Sequence, residues 1–326
     1  MSITNKDKYR QLCQEQYIPL FMQAWWMDAV CSEGKYWDVL LYEKKEKILG
    51  ALPFHIIKKF GYKIIVQPVH AQYNGVWINY PTNINEDKKE SLEKEVMDNL
   101  IDQLKKMGIH YFNQNFHYSI TNWQPFFWKG FKQTTYYTYQ IKDISNVDEV
   151  YNSFSYAKKK QIKKASKNFI VDFSMDLEEF HELHKQYLLQ VGKKIWYSKI
   201  LFKAIYQASV SKNQGTIIRI RDENKNMHAA LFLVWDKRTA YNLISVINPA
   251  YKSSGTSTLI VWEAIKMLSN KTTIFDFEGS MFEGVARSFQ QFGTEQIPYF
   301  KIEKSYSKTL DLLLKIRKTV TRINKS

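Results

Sequence analysis

Cysteine is nearly absent from this chain of 326 residues: Cys13 and Cys31 are its only two, and neither belongs to a Cys-x-x-Cys pair. That excludes a disulfide framework and a thiolate zinc site, and it fits a reducing compartment. Long apolar runs are lacking as well. No stretch approaches the ~18 residues that cross a bilayer as a helix. The polar opening from Met1 to Arg10 carries no apolar segment of the signal-peptide kind. A cytoplasmic location is the expectation. The histidines are scattered; His181 and His184 stand three apart on a helical pattern, but no third ligand accompanies them, so no metal site is expected. Gly-x-Ser-x-Gly, P-loop and Gly-x-Gly-x-x-Gly patterns are missing too.

Positive charge and aromatic residues are abundant. The formal net charge is +15. Such a field attracts polyanions: nucleic acid, an anionic membrane, CoA or nucleotide-sugar substrates. The charge is concentrated. Tyr151 to Val171 holds Lys158, Lys159, Lys160, Lys163, Lys164 and Lys167 and no acid, and Lys301 to Ser326 has eight basic residues against Glu303 and Asp311. Such runs are solvated helix faces or polyanion sites. Aromatic residues reach 15%; they either fill cores or line sites that are apolar with a polar tip. The length suits two domains, each able to bury a core.

The order of elements repeats. Trp37–Tyr42 and Ile48–Ile57 read as a hairpin, and so do Thr216–Arg221 and His228–Trp235. A strand follows in each half, at Gln72–Ile78 and Tyr241–Ile247. Each strand leads to a helix (about Glu86–Lys106; Gly255–Leu268) and then to another strand (His110–Phe116; Thr273–Glu278). A short aromatic helix and a last strand close each half, over Phe127–Tyr139 and Phe289–Phe300. Two α/β units follow from this, each a mixed, mostly antiparallel sheet flanked by helices. The polar stretch Lys142–Asp148 is the expected joint, giving units at 1–145 and 146–326. Helical material opens each half: Gln23–Cys31, and Ala157–Ser166, Leu177–Val191 and Ser198–Ser209.

Two segments carry chemistry. In Lys252-Ser-Ser-Gly-Thr-Ser257, Gly255 and the hydroxyls after it stand where a helix begins. A helix N-terminus offers free N–H groups and a positive dipole end, which suits phosphate, although serine and threonine are also ordinary caps. In Phe275-Asp-Phe-Glu-Gly-Ser-Met281, strand alternation puts Asp276 and Glu278 on one face. Two carboxylates at a strand end are costly if buried unpaired. They are expected either to face a cleft, where one acts as general base toward an amine, or to pair with a lysine or cap the next helix. Arg287 on that next helix binds an anionic group or makes an exposed ion pair.

The run Phe275–Met281, followed by Gly284-Val-Ala-Arg-Ser-Phe-Gln-Gln-Phe-Gly293 and Ile297-Pro-Tyr-Phe-Lys-Ile302, resembles the C-terminal signature of Fem-like proteins of the GNAT superfamily. The resemblance covers most of the chain, because Fem-like proteins hold two GNAT-like units in tandem. It implies N-acyl transfer, with acyl-CoA (acetyl-CoA) or aminoacyl-tRNA as donor. The acceptor would be an amine of a cell-envelope precursor such as a peptidoglycan peptide, or a small metabolite. Lys252, Ser253, Ser254, Gly255, Thr256 and Ser257 occupy the place of the family's pyrophosphate loop, keeping its glycine but departing at its first and last positions. Tyr241 and Ser245 lie on the strand beside the donor. The resemblance makes Glu278 or Asp276 the base and Tyr299 a proton donor. It offers Gln72, Tyr73, Asn74, Trp77, Lys159, Trp196 and Tyr197 as walls of an acceptor cleft, or as packing. Asp276-Phe-Glu-Gly-Ser in the second half corresponds to Asn113-Gln-Asn-Phe-His in the first. Catalysis and donor binding are therefore expected in the second unit. Two rival expectations stand beside this: an RNA- or tRNA-binding module without catalysis, and contact with the inner membrane surface through the basic tail, where Leu310, Leu312, Leu313, Leu314 and Ile316 lie among Lys308, Lys315, Arg317 and Lys318.

Overall fold

The computed structural model describes residues 3–313 and Ile316. The chain divides into two units: Met1–Thr135 with Tyr299–Ser326, and Tyr136–Pro298.

In the first unit, α1 (Asn5–Glu15) begins at a capping box in which Thr4 and Asp7 bond reciprocally. After α2 (Ala24–Val30), β1 (Tyr36–Lys44) and β2 (Lys47–Lys59) pair antiparallel. Their two-residue turn, Lys45-Glu46, has positive φ at both positions, the twist that suits a tight hairpin. β2 turns again at Phe60-Gly61 into β3 (Tyr62–Val66). Of the expected strand Gln72–Ile78, only β4 (Trp77–Ile78) forms, paired with β2. Gly75 breaks the rest: its φ is +90°, and a Cβ there would meet the Phe116 ring at 2.2 Å.

The expected long helix is α3 (Glu86–Lys106), capped by Asn85 and buried along Val96, Met97, Leu100, Ile101 and Leu104. Each such side chain contributes about 1.5–3 kcal/mol by leaving water. β5 (Tyr111–Asn115) lies parallel to β3, and α4 (Gln124–Trp128) carries Pro125 in its first turn. The far end of β12 (Glu295–Ser305) completes this sheet by pairing with β5, so its order is β1-β2-β3-β5-β12. The core gathers Leu52, Phe54, Phe112, Phe116, Phe126 and Ile302.

The second unit takes in the end of β6 (Lys132–Ile141), followed by α5 (Val147–Ser153), α6 (Tyr156–Ala165), β7 (Ile170–Asp172), α7 (Leu177–Gln190) and α8 (Lys199–Ser211). β8 (Gly215–Arg221), β9 (Met227–Trp235), β10 (Thr239–Ile247), α9 (Thr256–Leu268), β11 (Ile274–Asp276) and α10 (Glu283–Gln290) complete it. The strand order is β6-β11-β10-β9-β8-β7, with β10 and β11 parallel and the other pairs antiparallel. All nine residues of β9 are buried, as befits a central strand covered on both faces.

The chain leaves the first unit within β6 and re-enters it within β12. This differs from the expected division at residues 145 and 146. The polar stretch 142–148 lies inside the second unit, and Asn146 there caps α5. The closing strand of each half pairs in the other half's unit: β6 beside β11, β12 beside β5. Of the tail residues expected to touch a membrane, Leu314, Lys315, Arg317 and Lys318 lie outside the described residues. Among the described residues no helix is long and apolar enough to cross a membrane, and no cluster of side chains suits a metal ion.

Candidate active site

The site grows from a seam that opens. β11 pairs with β10 over only three positions, Thr239–Ile274, Ala240–Phe275 and Tyr241–Asp276. β10 continues to Ile247 along β9, with an irregularity between Asn242 and Ile244. Beyond Tyr241 that edge of β10 has no partner among the described strands. β11 stops because the chain turns left-handed twice, at Glu278 (φ +61°) and Gly279 (φ +70°). Glycine is required at the second position: a Cβ would stand 2.3 Å from the Tyr137 carbonyl oxygen. Glutamate at the first is an unusual tenant of that conformation, and such outliers concentrate at working sites.

The two carboxylates divide their roles. Asp276 is fully buried. It accepts from Thr138 Oγ1 at 2.5 Å, Gln140 Nε2 at 2.7 Å and the Glu278 backbone N–H at 2.7 Å. Three donors hold it as an anion that fixes the turn. Glu278 is half-buried as a residue, but its Oε1 is enclosed and has no hydrogen-bond partner among the described residues. Burial pushes its carboxyl well above the usual carboxylate range, and the Asp276 charge pushes it further. A carboxyl so raised is a stronger base than an ordinary carboxylate, which suits it to take a proton from an amine.

The α9 N-terminus stands in the same unit. Its N-cap is Gly255 at φ +84°, and no side chain caps the helix. The Thr256 N–H reaches Ser254 Oγ at 3.4 Å and the Thr258 N–H the Gly255 carbonyl at 3.1 Å; the positive end of the helix dipole is what suits this turn to a donor's phosphates. The glycine has a packing reason as well: a Cβ would lie 3.3 Å from the Gln161 carbonyl oxygen on α6. Thr256 and Thr258 are buried; Thr256 pairs with Ser254, and Thr258 donates to Gln161. Lys252, Ser253 and Ser257 are exposed and Ser254 is half-buried.

Lys158, not Lys159, is the buried member of the lysine run. Its Nζ reaches Ser288 Oγ at 3.1 Å and Thr258 Oγ1 at 3.4 Å, and stands 4.4 Å from the Phe292 ring centre. Burial pulls its amine down to about 8. The signal in the sequence was its spacing: Lys158, Ile162 and Ala165 share one stripe of α6. Lys160, Lys163, Lys164 and Lys167 are exposed on the other faces. Thr138 and Gln140 were missed as well. Their signal was two polar side chains at alternate positions on an aromatic strand.

The remaining expected residues scatter. Tyr241 is buried in register with Asp276. Ser245 is exposed and donates to Asn242. Lys159 reaches the Asn152 carbonyl, and Arg287 is exposed and paired with Glu283 at 2.6 Å. Tyr197 is buried with its hydroxyl 2.6 Å from His184 Nδ1, while Trp196 is 62% exposed beside it. In the first unit, Tyr73 is buried among Phe21, His117, Tyr118 and Tyr299. Tyr299 thus belongs to that unit, because β12 crosses into it. Asn74 holds Gly75 N and faces Met27 Sδ, and Trp77 donates to the Tyr17 carbonyl. Gln72 is buried with both amide atoms unpartnered among the described residues.

Residues 153–283 match the family model of the acetyltransferase (GNAT) domain. No curated protein matches this chain in sequence. Among solved structures, FemX is similar, with a TM-score of 0.68 at 14% identity over 92% of this chain and 96% of that one. So is the C-terminal domain of a putative lysylphosphatidylglycerol synthetase from Agrobacterium fabrum, with a TM-score of 0.58 at 8% identity over 97% and 96%. A tandem GNAT protein from the clavulanic acid biosynthesis pathway gives 0.55 at 6% identity over 93% and 94%. The matched segment spans α6, the α9 N-terminus, Asp276 and Glu278, so these stand in a stretch that matches an acetyltransferase (GNAT) domain, and the fold of the whole chain is like that of FemX and of the tandem GNAT protein.

Proposed function

We propose that the protein transfers an acyl or aminoacyl group from acyl-CoA or aminoacyl-tRNA to an amine of a cell-envelope precursor or small metabolite, with Glu278 as general base. The observation that carries this is Glu278 itself: a raised, unpartnered carboxyl held left-handed where β11 ends and the edge of β10 is open. The reaction needs an amine brought against a thioester or ester and a group to take the proton that the amine loses on attack. Asp276 does not compete for that proton, because three donors hold its charge. The α9 N-terminus receives donor phosphate, and the exposed lysines of α6 favour a polyanionic donor. One relative in fold is named a lysylphosphatidylglycerol synthetase and another FemX, which supports a cell-envelope acceptor.

The test is donor binding followed by turnover. Acetyl-CoA, longer acyl-CoAs and aminoacyl-tRNA are titrated by thermal shift, and positive donors are assayed with amine acceptors including UDP-muramoyl peptides. A donor-dependent shift and product formation that Glu278→Gln abolishes are expected. Salt-sensitive RNA binding with no transfer from any donor would replace this function by a non-catalytic RNA-binding one.

A further inference from the structure

The β2–β3 turn of the first unit places an aromatic side chain where one is poorly suited. Phe60 (φ +51°) and Gly61 (φ +77°) both have positive φ, which is the geometry of a type I′ turn. Asparagine, aspartate or glycine usually occupies its first position; a bulky aromatic there is strained. Phe60 is also 88% exposed. The fold gains no burial from it. Lys58 and Lys59 beside it are exposed, and Lys59 Nζ stands 5.4 Å from the Phe60 ring centre.

The hairpin is joined to a second feature. Tyr62, just past the turn, has its hydroxyl 3.1 Å from Thr309 Oγ1, at the start of the helical turns that follow β12. The Tyr62 ring packs edge-on against His110, whose carbonyl accepts from Tyr306 N–H. In those turns Leu312 is 60% exposed, Leu313 54% and Ile316 52%, with Lys308 exposed and Asp311 the described acid among them. Apolar side chains left in water and flanked by lysines therefore recur on two neighbouring segments of one unit.

We propose that the Phe60 turn and the turns holding Lys308, Leu312, Leu313 and Ile316 form one face that docks on an anionic lipid bilayer. Charge argues for that occupant, because exposed Lys58 and Lys59 stand beside Phe60 and exposed Lys308 precedes Leu312 by one helical turn, in a chain of net charge +15. Stable residence on a membrane takes two signals, an inserted apolar group and electrostatic attraction; this face supplies both. The proposal does not depend on which donor or acceptor the acyltransferase uses.

The full chain is sedimented with vesicles of phosphatidylglycerol and phosphatidylcholine, and with phosphatidylcholine alone, at 0.1 M salt. Sedimentation with the anionic vesicles only is expected. Phe60→Asn should lower partitioning roughly tenfold, since a largely exposed phenyl ring loses its burial in the interface. The variant puts the favoured residue ahead of Gly61, so its melting temperature should not fall. Lys58→Gln with Lys59→Gln should lower partitioning roughly thirtyfold, about fivefold per lysine. Protein that stays in the supernatant, or variants that sediment like the wild type, would overturn the proposal. Self-association without vesicles that Phe60→Asn abolishes would overturn it in favour of a second copy of the chain.

Discussion

At the end of β5 the chain stays on the strand; at the end of β11 it does not. In the first half Asn115 remains paired, opposite Lys301, with its amide donating to the Gln72 carbonyl. Phe116, next along, is fully buried, its ring 5.0 Å from that of Phe126. In the second half the corresponding residues are Glu278 and Gly279, both left-handed, the first with an unpartnered carboxyl oxygen. The same place in a repeated plan is spent on core packing in one copy and on a strained, raised carboxyl in the other. Duplication supplies the scaffold, and under the proposed function the turn chemistry of two residues decides which copy reacts.

The largest effect should come from the charge that separates the copies. Glu278→Gln keeps the shape and removes the base, so kcat should fall by roughly 10²–10⁴. Asn113→Ala, at the first-half counterpart of Asp276, should leave kcat at its wild-type value. Similar losses in steady-state assays would show that the copies share the chemistry. Stability should read the other way. Phe116→Ala empties a core position and should cost about 3–5 kcal/mol in denaturant unfolding. Gly279→Ala drives a Cβ against the Tyr137 carbonyl in a left-handed residue and should cost about 2–4 kcal/mol, losing activity with the turn.

What the sequence made legible follows from range. α3 was placed at its observed limits, Glu86–Lys106, because an Asn cap, first-turn acids and a periodic apolar face are local signals. The hairpins and α9 were read for the same reason. The exchange of β6 and β12 between halves was not, since which strand a closing segment pairs with is decided by partners more than a hundred residues away. Alternation puts Asp276 and Glu278 on one face and points to Glu278 more than to Asp276 as the working group, without separating their surroundings. The left-handed turn, which gives Asp276 three donors and leaves Glu278 Oε1 enclosed without a partner among the described residues, is hinted at only by Gly279. Lys158 was passed over for Lys159, because a lysine run reads as a solvated face until helix phase singles out the member that points inward.

Each unit also buries a charge on a helix, with opposite consequences. Glu93 on α3 accepts from Tyr80 Oη and Asn122 Nδ2, both at 2.8 Å. Lys158 on α6 meets only hydroxyls and a ring face among the described residues. Glu93→Met strands two donors and should cost about 1–3 kcal/mol. Lys158→Met should stabilise, by up to roughly 3 kcal/mol at pH 7, because about 1.4 kcal/mol attends each unit by which burial lowers the amine. The sign follows from linkage. Below pH 8 the amine is charged in both states and the full penalty applies; the folded state sheds its proton first, so the penalty fades between pH 8 and 10.5. Thermal melts at pH 7 and pH 10 should show the advantage shrinking.

Glu278 makes stability depend on pH in the opposite direction to Lys158. Its folded-state carboxyl is raised, so its contribution is complete at low pH and is lost as pH climbs through the folded value. Glu278→Gln removes that loss. The variant's melting temperature should rise relative to wild type as pH goes from 5 to 9, whereas Asn113→Ala should show a constant difference.

The smallest effect belongs to Arg287, on the helix that follows the reactive turn. Its ion pair with Glu283 joins two side chains that are each more than 70% exposed, and such pairs contribute about 0.3–0.5 kcal/mol at best. Arg287→Ala should therefore leave the melting temperature nearly unchanged. That makes it a clean probe of whether α10 does more than close the second copy. If KM for donor or acceptor rises while kcat holds, the guanidinium binds substrate and the asymmetry between the copies extends from β11 into α10. If neither constant moves, the asymmetry is confined to the two left-handed residues and the acid they hold.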